Sequence, residues 1–160
     1  MNNDDRKEYE IRGEQKYAIL NKIFLQTQEW NITIPDVPAF MLHFGLNDFY
    51  NTGETEFWLA NEIEAGYCAK FLFVFNGQTC PYHYHKIKHE TFYILKGMAS
   101  MNINGRVSKM EQGERFAMEP GTKHSFTGED GPCLLLEISM PSIRGDSFFD
   151  DHRIGKNGTL

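Results

Sequence analysis

Three histidines and one glutamate have the most informative spacing in this 160-residue sequence. The stretch from Gly77 to Gly97 contains His83, His85 and Glu90, and a second stretch, Gly113 to His124, ends on a histidine just after a Pro-Gly turn. In an extended strand, residues two apart project to the same face. His83 and His85 therefore point together, while Tyr82 and Tyr84 point away. Glu90 opens the next strand after a short connection, and an antiparallel return would bring it opposite the histidines. Three imidazoles and one carboxylate form a hard-to-borderline ligand set that suits a divalent manganese, iron, cobalt, nickel or zinc ion. Open positions on such an ion are where chemistry would occur. His89 adjoins Glu90 and should face the other way, so it is read as a non-ligand.

Two further charges stand out by the company they keep. Lys70 shares a strand face with Leu72 and Val74, and Glu137 shares one with Cys133 and Leu135. A charge among apolar neighbours is costly unless it meets a counter-charge or a substrate. Each also has a plainer reading, a snorkelling lysine at a strand end and a glutamate on an exposed edge. If both faces line a barrel interior, Lys70 and Glu137 converge near the metal.

The elements that must position these residues follow from the hydrophobic pattern. Between about Lys7 and Glu29, Tyr17, Leu20, Ile23 and Phe24 recur at helical spacings, which predicts one or two amphipathic helices separated at Gly13. Pro35 and Pro38 then push their predecessors towards extended conformations, so Trp30 to Phe40 reads as an irregular arm against the domain. From about Glu56 onward, short apolar runs alternate with turn signals at Asn76-Gly77, Lys96-Gly97, Gln112-Gly113 and Asp130-Gly131-Pro132. Asn104-Gly105 is a type I′ hairpin signal. Many short antiparallel strands at this spacing mean a sandwich or barrel. The chain is thus mainly β, with an N-terminal helical segment and arm over residues 1–41, a barrel over 42–154 and a tail over 155–160.

Composition limits the alternatives. One domain of this length can bury a core without disulfides, and 13 Phe with 7 Tyr favour strands. A net charge of −6 with interspersed signs argues against a nucleic-acid groove. No apolar run is long enough to cross a bilayer, and the polar first residues carry no signal-peptide core. Three cysteines at irregular spacings suggest buried reduced thiols in a cytoplasmic protein.

The fixed positions from Gly77 to Gly97 match the first motif of the cupin superfamily, G-x5-HxH-x4-E-x6-G. Gly113, Gly121 and His124 match the second, with Glu119 where its proline would stand and Gly128 where its asparagine would stand. The chain also resembles the D-lyxose isomerase family within that superfamily. The resemblance rests on Tyr67-Cys-Ala-Lys70, on Gly77-Gln-Thr-Cys-Pro81 leading into the histidines, on Leu136-Glu137-Ile-Ser and on Asp151-His-Arg153-Ile154. It runs loosely over about Leu42 to Ile154. Only four residues separate His85 from Glu90 where several members carry an insertion, and His152 replaces the usual proline.

This resemblance implies a cupin jelly-roll barrel with the metal, manganese in the family, held inside by His83, His85, Glu90 and His124. It implies an aldose–ketose isomerase acting on a sugar such as D-lyxose or D-mannose. Glu137 would be the base, Lys70 a donor to the substrate oxygens, and Asp151 and Arg153 ligands of distal hydroxyls. A metal-dependent cupin oxygenase and a non-catalytic sugar-binding cupin are the alternatives. A phosphorylated sugar would instead need cations at the barrel mouth, where Lys86, Lys88 and Lys123 are available. A homodimer is the expected assembly.

Overall fold

The computed structural model describes residues 8–160. One helix, α1 (Gly13–Glu29), precedes eleven strands: β1 (Ala39–Leu42), β2 (Glu54–Glu62), β3 (Tyr67–Val74), β4 (Thr79–His85), β5 (Glu90–Lys96), β6 (Met98–Ile103), β7 (Arg106–Glu111), β8 (Arg115–Met118), β9 (His124–Gly128), β10 (Cys133–Ser139) and β11 (Ser147–Phe149). They form two antiparallel sheets, ordered β1-β2-β3-β10-β5-β8 and β11-β4-β9-β6-β7. These two sheets are the layers of the expected jelly roll.

The first sheet is covered on both faces, which explains the near-continuous apolar run of β3. Leu72 and Val74 join Cys80, Phe92, Phe126 and Leu135 in a core between the sheets. Phe73 turns to the other face and packs with Ile19, Ile23, Phe57 and Leu134 in a second core that includes α1. Burial of Ile19, Ile23 and Thr27 marks the helix stripe. That stripe is rotated from the expected one, since Tyr17 is 70% exposed and Phe24 40%. Of the one or two helices expected, the described residues form one. Gly13 lies at its start with φ of +63°, and left-handed Asn31 follows its end.

The hairpin at Asn104-Gly105 forms as expected. Both residues have positive φ, 49° and 82°, and they join β6 to β7 in continuous register. The expected boundary at residue 42 falls at the end of β1, which is already part of the first sheet. Residues 155–160 are not a loose tail, because Thr159 bridges to Phe148 and Gly155 and Leu160 packs against the inter-sheet core. All three cysteines are free and buried.

Candidate active site

The histidines meet on the inner face of the second sheet. His83 on β4 lies directly opposite His124 on β9, and His85 follows two residues on. Each ring is fixed from behind by a backbone carbonyl. His83 Nδ1 lies 2.7 Å from the Pro81 oxygen, His85 Nδ1 2.8 Å from Asp146 and His124 Nδ1 3.0 Å from Thr122. A carbonyl only accepts, so each Nδ1 carries the proton and each Nε2 presents a lone pair. The Nε2 atoms of His85 and His124 are buried without a hydrogen-bond partner. Ligand atoms of the three rings lie within 4.8 Å of one another. Burial holds all three rings neutral: His83 falls well below its usual range, His85 to about 2 and His124 to about 4. Neutral imidazoles with fixed tautomers and unshared lone pairs are what a divalent ion requires.

Glu90 comes from the other sheet. It opens β5, which pairs with β10 and β8 and not with β4, so it faces the histidines across the interior rather than beside them. Its Oε2 lies 3.4 Å from His85 Nε2 and 3.3 Å from His124 Nε2. Burial pushes its carboxyl up to about 7, against the pull of Lys88. The expected four residues are therefore together, three from one sheet and one from the other.

A row of alternating charges crosses the first sheet next to this group. Register pairs Glu137 with Lys70, and Lys70 Nζ lies 3.1 Å from Glu56 Oε1 and 3.8 Å from Glu137 Oε2. Lys88 Nζ lies 3.1 Å from Glu137 Oε1 and 2.6 Å from Glu90 Oε1. Ser139 donates to Glu137 at 2.7 Å. Burial alone would raise the Glu137 carboxyl, but Lys70 and Lys88 outweigh it and hold the group far below the usual carboxylate range. Burial would likewise lower Lys70, yet Glu137 and Glu56 hold it well above the usual lysine range. Glu56, Lys70, Lys88, Glu90 and Glu137 line a cavity of about 260 Å³ whose remaining wall includes Phe40, Phe44 and Trp58.

Two expected residues are not brought there. Asp151 and Arg153 are joined to each other, Nη2 to Oδ2 at 2.6 Å, with the Arg153 side chain 78% exposed, and neither lines the cavity. His89 stays outside, 3.4 Å from Glu119. Of the three lysines expected at the mouth, Lys86 lies over the Phe148 ring and Lys123 pairs with Asp150, while Lys88 is buried among the carboxylates. Lys88 sits two residues before Glu90, and that spacing was the available signal. Glu54, Glu56 and Trp58 also line the cavity; the strand periodicity of β2 could have shown that they share a face, though not which face. Asp146 had no signal at all. Its carboxylate accepts from the backbone amides of Lys86, Ile87 and Lys88 at 2.9–3.2 Å and thereby shapes the turn that carries Lys88.

Comparison with known proteins agrees with this geometry. The cupin domain family matches residues 72–139. The D-lyxose/D-mannose isomerase of Thermosediminibacter oceani is 32% identical over 139 residues, covering 69% of this chain and 75% of the relative. The chain belongs to the D-lyxose isomerase family of cupins. The D-lyxose ketol-isomerase of Cohnella laeviribosi is 29% identical over 115 residues, covering 55% of this chain and 63% of that one. Among solved structures, a mutant L-ribose isomerase from Acinetobacter sp. DL28 in complex with L-ribose covers 84% of both chains with a TM-score of 0.67 and 14% identity. At that identity the likeness shows the family's barrel fold alone. No helix among the described residues is long and apolar enough to cross a membrane.

Proposed function

We propose that this cupin is a metal-dependent aldose–ketose isomerase that interconverts D-lyxose and D-xylulose, with D-mannose and D-fructose as a second pair. The observation that carries the reading is Glu137, a buried carboxylate held ionised between two ammonium groups and beside the three-histidine group. A site that only bound sugar would have no need of such an arrangement. Membership in the D-lyxose isomerase family makes the sugar the natural substrate class, and the family's manganese is the metal we assign.

His83, His85 and His124, with Glu90, would hold the ion through the Nε2 atoms and a carboxylate oxygen. When bound, the ion supplies Lewis acidity towards adjacent sugar oxygens. The chain's own groups do the rest. Glu137 removes the proton from C2 of the open-chain aldose, leaving an enediolate, and returns it to C1, while the proton of the O2 hydroxyl passes to O1 so that C2 becomes the ketone. Lys70 and Lys88 hold Glu137 ionised, the form that can accept a proton. Lys70 and Lys88 carry charge that stabilises negative oxygen as the enediol forms, in a site closed to most water. The aromatic wall excludes solvent around the intermediate. Asp151 and Arg153 are not assigned to the sugar, because each already satisfies the other away from the cavity.

Glu137→Gln removes the base and keeps its shape. Turnover should fall by about 10²–10⁴-fold, the usual worth of a positioned acid or base, while metal content is retained. Near-normal turnover in this variant would remove Glu137 from the mechanism.

A further inference from the structure

Besides Glu56, which pairs with Lys70, the cavity holds a second carboxyl group that the proposed reaction does not use. Glu54 opens β2, is 5% exposed and lines the cavity wall with Glu56 and Leu72. Its Oε2 has no hydrogen-bond partner among the described residues. Cys80 lines the same cavity, and the charges of Glu56, Lys70 and Glu137 act on the carboxyl. None of these neighbours is a histidine of the metal group. A carboxyl buried with an idle oxygen loses its hydration without recompense. Nothing in the fold uses the group, since the strand pairing of Glu54 with Leu42 runs through the backbone. The carboxyl thus sits in the wall of the cavity with one oxygen unsatisfied.

We propose that Glu54 is a specificity-determining residue whose unpartnered carboxyl oxygen hydrogen-bonds one hydroxyl of the open-chain sugar, at the part of the cavity away from the histidines. The ligand class rests on the sugar-isomerase reading. Burial and the Glu56 carboxylate push the Glu54 carboxyl up to about 8, so at neutral pH it is a neutral acid that can donate as well as accept. Such a group suits a sugar hydroxyl, which does both. A site built around a buried polar partner rejects an analogue lacking that partner more strongly than an apolar wall does.

The test uses binding, which does not depend on turnover. The metal-loaded full chain is titrated calorimetrically with D-arabinitol, the reduced and unreactive form of D-lyxose, and with its mono-deoxy analogues. Glu54→Leu should weaken D-arabinitol by about tenfold, whereas Glu54→Gln, which keeps a donor and an acceptor, should stay within about threefold. One mono-deoxy pentitol should be penalised on the unaltered protein and not on Glu54→Leu. Thermal melts should show Glu54→Leu at least as stable as the unaltered protein, because it removes an idle buried polar group. Equal binding by Glu54→Leu, equal losses in both variants, or a deoxy penalty that survives Glu54→Leu would each overturn the assignment. So would a Glu54→Leu protein that melts far lower or fails to fold, since Glu54 would then serve the fold. Pentitol binding without turnover of any aldose would remove the isomerase reading and leave Glu54 standing.

Discussion

Lys88 shows what a single side chain contributes at this site. Its ammonium group pairs with both the proposed base Glu137 and the proposed metal ligand Glu90. Two carboxylates without it would face one another across a low-dielectric interior, where like charges raise one another's pKa. Lys88→Met keeps most of the volume and removes the charge. It should lower kcat by about 10²–10³-fold, the range seen when one positioned donor is removed from a site that stabilises developing charge. Steady-state kinetics on a variant with unchanged circular dichroism checks this, and an unchanged kcat would reduce Lys88 to a buried counter-ion. The residue also marks a limit of sequence reading. The spacing of His83, His85 and Glu90 carries its own geometry, because strand alternation fixes which side chains travel together. The spacing of Lys88 two residues before Glu90 is a weaker signal, because beside Lys86 it also reads as a solvated lysine, and the turn that carries it inward is shaped by Asp146, 58 residues away.

At the scale of elements, strand register made the site legible. Lys70 and Glu137 were each placed among apolar neighbours by alternation, and the β3–β10 pairing sets them opposite each other. What alternation could not supply was the partner sheet. Glu90 comes from the sheet facing the histidines, because β5 pairs with β10 rather than returning along β4. Helix α1 was foreseen, but its buried stripe was not, since Tyr17 and Phe24 are apolar enough to compete with Ile19 and Ile23 until the sheet chooses a face. Asp151 and Arg153 illustrate the converse: two residues apart, they find each other locally and leave the cavity. Metal ligands drawn from two sheets would carry a consequence for stability. An ion bound only by the folded state adds RT ln(1 + [L]/Kd), about 2.7 kcal/mol at a hundredfold excess over Kd. Manganese should therefore raise the melting temperature by several degrees. His124→Ala should abolish that rise, as read by thermal melts with and without the ion. A rise that persists in His124→Ala would place the ion elsewhere.

The whole molecule is a barrel wrapped on one side by a helix and an arm, with its charge turned inward at one place. Elsewhere the inter-sheet core is apolar, from Phe44 and Leu72 to Met101 and Ile154. Five ionisable side chains in a row, Glu56, Lys70, Glu137, Lys88 and Glu90, are therefore a local exception to an ordinary core. Buried charge networks of this kind add little to stability and are costly to break, so their presence is an argument about chemistry. The chemistry we propose is sugar isomerisation with a bound metal. Its most direct test is to incubate the manganese-loaded chain with a panel of pentoses and hexoses and to measure the ketose formed. D-Lyxose should yield D-xylulose, D-mannose should yield D-fructose, and chelator should abolish both until manganese is restored. Ketose formation unaffected by complete metal removal, or no ketose from any aldose with the metal bound, would contradict the account.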